Sequence, residues 1–588
     1  MSFFVRPTCP SPLTAENAAA TPAPTAAAST FIDILYDHAG YLAAHDDTLA
    51  APGSMAGKRV AIIGSGPAGL LAAAQLMQLG AEVDILEAHP HRAGGRINTH
   101  TPIPGDAARF ELGAMRVPPC EQLFNLYAKR FGMTPAPFPD PGHVDTAIVF
   151  QNQRYEWPAG GSAPELFKTV TQAWDSFAGG LTSLANRLVP GPDLDYAAAR
   201  QAWQALIAPS TAAGPEQGYS NISFYQGLVQ AFVEDYQRYG LTQPWGEEEF
   251  ALFGAIGLGG GGFGPLYPVN FAEIVRLVVN GLETDQKFYG GGIGALVDGF
   301  LALDFGGGTV GSRIRYGSAV SSVTGGPPAQ IRVAGGAPES FDAVIVATTT
   351  RAMQVDMGMT QGTAPAPPAD AACDAASTPG LPLDADATTG IRKLHLMNSS
   401  KLFVLTKTKF WDQHQGLPAN VQTDGLVRGL YCLDYPGTDH GVVLISYTWG
   451  DDSTKCIAVK DPTARLELLL DSLEPQLPEF VAALRDGVLP EHTTLIDWQD
   501  QPHFYGAFKL NYPGQDPYNQ SLYYQFARST NGVYLAGSAI SWSGGWIEGA
   551  LQTGMNAAAA VVEQCAPRTL FDGSPMTQRD QATQYKYA

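Results

Sequence analysis

Short apolar runs closed by glycine or an acid recur along this chain, and between them lie stretches whose apolar residues fall at helical spacing. Val60 to Ile63 is such a run and ends at Gly64; Val83 to Leu86 is a second, interrupted by Asp84, and ends at Glu87. Leu70 to Leu79 between them has the pattern of a helix. Runs this short, apolar on both faces, suit strands buried in a parallel sheet. Ala343 to Ala347 returns as another buried strand, while Arg313 to Val323 and Gln330 to Val333 alternate as half-buried strands do. Lys401 to Leu405 and Val442 to Tyr447 predict strands of a second sheet. From about 120 to 290 the periodicity is mainly helical, in Glu121 to Phe131, Pro164 to Leu188, Asp195 to Ile207 and Phe271 to Leu282. Inserted between strands, such helices would cap a ligand cavity.

The first strand and helix are joined by Gly64-Ser-Gly66-Pro-Ala68-Gly69. Gly64 allows the tight turn, Gly66 lets the backbone approach a pyrophosphate, and Gly69 lets the helix pack on the strand. An anion then sits at the helix N-terminus. Glu87, about 20 residues beyond, is placed to bind a ribose. Near the other end, Tyr534-Leu-Ala-Gly537-Ser538 followed by Gly544-Gly545-Trp546-Ile547-Glu-Gly549 is again strand, glycine-rich turn and helix. Two such segments far apart in sequence could grip one long cofactor at both ends, and FAD fits that description.

Composition narrows the class. The 588 residues, 45% hydrophobic with 65 glycines and only 15% charged, can bury two or three lobes. A net charge of −21 argues against nucleic acid. Cys9, Cys120, Cys373, Cys432, Cys456 and Cys565 show no metal-ligand spacing and read as free thiols of a reducing, cytoplasmic compartment. No metal site, membrane span or secretory signal is expected. Residues 1–30, rich in Ala, Pro and Thr, read as a flexible tail or a removable pro-segment, and 362–390 as a long surface loop.

The order of several motifs resembles the flavin amine oxidase superfamily, and within it the L-amino acid oxidases and the amino acid 2-monooxygenases acting on tryptophan, phenylalanine or lysine. These motifs are the glycine fingerprint with Glu87, Gly94-Gly95-Arg96, Glu111-Leu-Gly-Ala114-Met115-Arg116, Ser399-Ser-Lys401-Leu-Phe403, Ser446-Tyr447-Thr-Trp-Gly-Asp-Asp452, and Gly544-Gly545-Trp546-Ile547-Glu-Gly-Ala550. The resemblance implies an α/β protein. Its FAD-binding Rossmann-like (GR2-type) domain is drawn from 31–120, 291–350 and 501–565, its helical cap and substrate region from 121–290, and its mixed-sheet substrate-binding domain from 351–500; 566–588 is a tail. It implies FAD contacts from Gly64, Gly66, Ala68, Gly69, Glu87, Ala88, Gly95, Arg96, Ala114, Met115, Val320, Trp498, Gly537, Ser538 and Ile547. It also implies a homodimer. Members usually carry Asp or Glu where this chain has Ser538, which can hydrogen-bond but brings no charge.

For the substrate, the resemblance gives Arg116 as the anchor of an amino acid carboxylate, Tyr447 as its second contact, the Gly545 carbonyl as acceptor from the amine, Trp546 as a wall, and Lys401 as the lysine near the flavin. The forked guanidinium suits a carboxylate. A lysine pressed against apolar strands should lose pKa by desolvation. Taken singly, Arg116 could be a salt-bridge or flavin-phosphate residue, Tyr447 and Trp546 packed aromatics, and Lys401 a strand-edge lysine. Phe253, Phe263, Tyr267 and Trp546 are candidates for an aromatic side-chain pocket; Glu247, Glu248 and Glu249 are candidates for a basic one, or a solvated helix start. The expected reaction is hydride transfer from Cα to flavin with O2 as acceptor, giving 2-oxo acid, ammonia and hydrogen peroxide from large apolar or aromatic L-amino acids. The alternatives are a 2-monooxygenase giving amide and CO2, a basic substrate, and a monoamine or polyamine oxidase.

Overall fold

The protein is described by a computed structural model over residues 36–188, 218–257, 262–283, 285–360, 383–413 and 416–579. The expected tail 1–30, the expected helix 195–207, most of the 362–390 loop, the end of the 566–588 tail, Cys9 and Cys373 lie outside these residues.

The apolar runs form a five-stranded parallel sheet in the order Val533–Leu535, Ala343–Val346, Arg59–Ile63, Glu82–Leu86, Ile314–Arg315. Val60, Ala61 and Ile62 sit centrally, without solvent exposure, because both faces are covered. Helices Pro67–Gln78 and Ile547–Cys565 pack side by side on the sheet. A Cβ at Gly554 would come within 2.4 Å of the Ala68 carbonyl oxygen, so only glycine admits the second helix this close to the first. The N-terminal and C-terminal motifs thus share one wall. The run read as a single strand from Arg313 to Val323 divides at Gly317 (φ 65°): its first part joins the parallel sheet, and Val320–Thr324 joins a three-stranded antiparallel sheet with Ala329–Val333 and Pro338–Phe341.

A seven-stranded mixed sheet is ordered Val488–Asp497, Ser399–Thr406, Gly441–Trp449, Gly429–Leu433, Asn420–Thr423, Thr146–Phe150, Gln153–Trp157. Its antiparallel central register sets Lys401 directly opposite Tyr447. The last two strands come from the region read as mainly helical. Thr146–Phe150 is buried at every position, and Gln151 and Asn152 (φ 49° and 62°) make the left-handed two-residue turn of a tight hairpin, a signal short enough to be lost among helices.

The cap helices Lys168–Leu188, Phe224–Val229, Glu247–Ala255 and Phe271–Asn280 close around a shared aromatic cluster. Proline at 164 delays the first of these, which enters through a 3-10 turn at Glu165–Phe167. Among the described residues no helix is long and apolar enough to cross a membrane.

Candidate active site

A cavity of about 520 Å³ opens where the parallel sheet, the mixed sheet and the C-terminal helix meet. At the first glycine turn, Gly64 has φ 100°, and a Cβ there would lie 2.8 Å from the Ala347 carbonyl oxygen. The turn is tied to the second strand by Glu87, whose carboxylate accepts from the Ser65 N–H (3.0 Å) and hydroxyl and from the His89 N–H (2.8 Å). Gly64, Gly66, Ala68, Glu87 and Ala88 therefore line the cavity with the start of helix Pro67–Gln78 open to it. Gly69 lies behind the lining, where a Cβ would meet the Gly64 carbonyl oxygen at 2.1 Å, consistent with a packing role.

Gly95, Arg96, Ala114, Val320, Trp498, Gly537, Ser538 and Ile547 also line the cavity. Arg96 is partly buried, donates to the Ala507 carbonyl (2.9 Å) and the Ser538 hydroxyl (3.0 Å), and makes no ion pair among the described residues. Burial alone lowers its pKa to about 10. A partly buried cation with only neutral partners, lining the cavity beside a helix N-terminus, fits an anionic group such as the pyrophosphate of FAD. With an acid at 538, Arg96 would already be neutralised. The Trp498 indole N–H donates to the Leu112 carbonyl at 2.8 Å, fixing the ring against the segment that carries Ala114.

Tyr447, Gly545 and Trp546 share the same cavity. Trp546 caps helix Ile547–Cys565, and the next residue but one, Glu548, accepts from the Leu123 and Phe124 N–H groups at 3.1 and 2.9 Å. That carboxylate joins the starts of two helices and so fixes the angle at which Trp546 enters the cavity.

Lys401 and Arg116 stand one layer back, behind Tyr447. The Lys401 ammonium donates to the carbonyls of Glu111 (2.9 Å) and Gly113 (2.5 Å) and lies 4.7 Å from the centre of the Tyr447 ring. Burial brings its pKa down to about 7; Glu111 opposes the fall and Arg116 adds to it. Glu111 is itself pushed up to about 7 by burial, with the Thr99 hydroxyl and the Ile293 N–H holding its carboxylate. Arg116 is 3.5 Å from Glu283 and 5.7 Å from the Phe138 ring. Burial works against the Arg116 charge, but Glu283, Tyr431, Tyr447 and Asp140 more than offset it.

Besides Gly69, Lys401 and Arg116, further sequence candidates lie away from the cavity lining. Phe253 is fully buried in the cap, stacked on Phe263 at 4.5 Å and packed against Trp174 and Trp245. Met115 is buried in the core with Phe110 and Phe403, away from the cavity that the neighbouring Ala114 lines. Tyr267 donates to the Phe250 carbonyl at 2.5 Å and also belongs to the cap. Glu247 and Glu248 are exposed in a first helical turn, and Glu249 caps the Gly246 N–H at 2.7 Å, so this triplet supplies no buried acid. Sequence reading missed Thr348, Thr349, Ser399, His503 and Phe508, all on the cavity wall. The two threonines follow the carboxyl end of a parallel strand, where ligands of such sheets bind, and that rule could have found them.

The family model for flavin containing amine oxidoreductase matches residues 67–562. The chain is 38% identical to the tryptophan 2-monooxygenase of Pseudomonas savastanoi, over 93% of this chain and 97% of the relative, and 36% identical to that of Pantoea agglomerans pv. gypsophilae, over 93% and 96%. Its fold is like that of cyclohexylamine oxidase from Brevibacterium oxydans IH-35A (TM-score 0.62, 18% identity, 86% of this chain and 99% of that one). FAD is the flavin this cavity accommodates. With cavity, partly buried cation and motifs in agreement, the chain belongs to the flavin containing amine oxidoreductase family.

Proposed function

We propose that the protein is an FAD-dependent L-amino acid 2-monooxygenase acting on an aromatic amino acid, L-tryptophan first among them. Amino acid and O2 are converted to the amide one carbon shorter, CO2 and water. The observation that carries this reading is the likeness to tryptophan 2-monooxygenase along nearly the whole of both chains. It favours the decarboxylating alternative over the oxidase outcome, in which the imino acid leaves and hydrolyses and peroxide is released. Tyr447, Phe508 and Trp546 on the cavity wall support an aromatic side chain, and the Glu247 to Glu249 triplet, exposed at its first two positions and capping its own helix at the third, removes the support for a basic one.

Bound FAD supplies the two-electron acceptor for the Cα hydride and the site where O2 is reduced. The chain holds the substrate. In this reading Arg116 takes the carboxylate, which requires its guanidinium to turn from Glu283 toward the Tyr447 hydroxyl, and that hydroxyl adds a second contact. The Gly545 carbonyl accepts from the amine, and Trp546 limits where the Cα hydrogen can point. Lys401, whose pKa burial brings down to about 7, can accept a proton as the neutral amine.

Incubating the FAD-loaded protein with L-tryptophan under 18O2 tests the reading. One labelled oxygen in the amide and one CO2 per O2 consumed are expected. A 2-oxo acid with stoichiometric ammonia and hydrogen peroxide, and no amide, would replace it with the oxidase reaction.

A further inference from the structure

Arg116 has a resident counter-ion assembled from separate elements. Glu283 follows the cap helix Phe271–Asn280, and its carboxylate lies 3.5 Å from Arg116 Nη1, with both side chains 9% exposed. That separation exceeds a charge-assisted hydrogen bond, so the contact balances charge without clamping the guanidinium. The same Glu283 oxygen, Oε2, accepts from the Gln286 amide N–H at 3.0 Å. Asp140, also buried, follows strand Pro135–Pro137 and feels Arg116, Glu283, Asp285 and Lys287; the last two pair with each other. Tyr431 and Tyr447 face the group from neighbouring strands of the mixed sheet, and Lys401 acts on Arg116 from the strand paired with that of Tyr447.

We propose that Glu283, backed by Asp140, is a competitor that the carboxylate of the incoming amino acid must displace from Arg116, and that the displaced acid pair takes up a proton as it gives way. The inference rests on the reading that Arg116 binds that carboxylate. Without a proton, the pocket would hold three carboxylates against Arg116 in a medium that screens poorly. Burial already raises both acids, Asp140 to about 7 and Glu283 above the usual carboxylate range, while Arg116 holds each of them down. Once Arg116 turns to the ligand, both rise further and one proton is bound. The substrate arrives as a zwitterion with a proton that its ammonium group must lose before the Cα hydride can leave, so the proton comes from the substrate or the solvent and no oxidant or reductant is involved. Glu283 thereby acts in specificity as well: an amine without a carboxylate cannot displace it and gains nothing from Arg116.

The test uses 3-phenylpropionate, which carries the carboxylate and ring but no amine to oxidise, and its neutral amide as control, titrated calorimetrically into the FAD-loaded full chain in phosphate and in Tris. Wild type should take up about one proton per carboxylate bound at pH 7.5, seen as a buffer-dependent enthalpy, and none with the amide. Its affinity should fall as pH rises, by up to about tenfold per pH unit. Glu283→Gln should bind the acid at least about tenfold more tightly at pH 8 and take up less proton. Equal enthalpies in the two buffers, or unchanged or weaker binding by Glu283→Gln, overturn the proposal. If Glu283→Gln does not fold, the wild-type proton count decides alone. If the acid fails to bind wild type, or binds Arg116→Gln equally well, the carboxylate-clamp reading falls, and the counter-ion proposal with it.

Discussion

Replacing Lys401 by methionine measures what the buried amine costs the fold. Burial holds its pKa at about 7 against an ordinary 10.5. At about 1.4 kcal/mol per pH unit, that interval corresponds to about 5 kcal/mol. The folded-state value of this base is depressed, so the destabilisation is complete below pH 7, where both states are charged, and vanishes above 10.5, where neither is. By pH 9 about 2 kcal/mol of it remains. Methionine, of similar length, is free of this effect at every pH, but leaves the Glu111 and Gly113 carbonyls without their donor, at about 1–3 kcal/mol each and independent of pH. The stability of Lys401→Met relative to wild type should therefore drop by about 3 kcal/mol between pH 6 and pH 9. Urea unfolding at saturating FAD, at pH 6, 7.5 and 9, reads the difference from midpoint and slope. Curves that stay parallel across this range would show that Lys401 titrates as a solvated lysine and would refute the reasoning.

In wild type, anaerobic reduction of the flavin by amino acid should quicken as pH rises through about 7, where Lys401 loses its proton, and Lys401→Met should flatten that profile; a rise of equal steepness in both would assign the titration elsewhere. Arg96→Met removes the partly buried cation beside Ser538 and should weaken FAD binding about 10- to 100-fold, by loss of a charge-assisted contact, measured by quenching of flavin fluorescence; unchanged affinity would place the cofactor's phosphates away from Arg96. Gly554→Val forces a side chain against the Ala68 carbonyl and should lower stability by about 1–3 kcal/mol with partial loss of FAD on purification, since Ala68 also lines the cavity; a fully loaded, equally stable variant would mean that the two helices can separate freely. Phe253→Leu should cost about 1–2 kcal/mol of stability through the aromatic cluster and leave KM unchanged; a raised KM at unchanged stability would return Phe253 to the substrate.

What the sequence made legible was whatever is local. The turn from Gly64 to Gly69 has its geometry written in consecutive residues, and so has the approach of Gly545 and Trp546 to the start of a helix; both stand on the cavity. The hairpin at Gln151 and Asn152 was lost because its strands, five residues each, carry no periodicity long enough to stand out between helices. Phe253 was misplaced for the opposite reason. An aromatic residue near glycines has the same signature whether it meets a ligand or other aromatics, and Trp174, Trp245 and Phe263 settle the matter only once the cap is folded.

The electrostatics of the site were the least legible, for a physical reason. Arg116 and Lys401 each sit in a recognisable motif, but their charges are governed by groups the motifs do not contain. Glu283 lies beyond a cap helix and Asp140 in a loop that precedes the mixed sheet. The strand register that sets Lys401 opposite Tyr447 joins segments more than forty positions apart. A motif therefore fixes which atoms can reach a substrate, while topology decides in what protonation state they meet it. Tyr447 is where the two meet: its ring covers Lys401, it acts electrostatically on Arg116, and it lines the cavity. A ligand pressing on that ring thus touches both cations' surroundings at once, so carboxylate binding and the protonation of Lys401 should be thermodynamically linked, each responding to pH through the other.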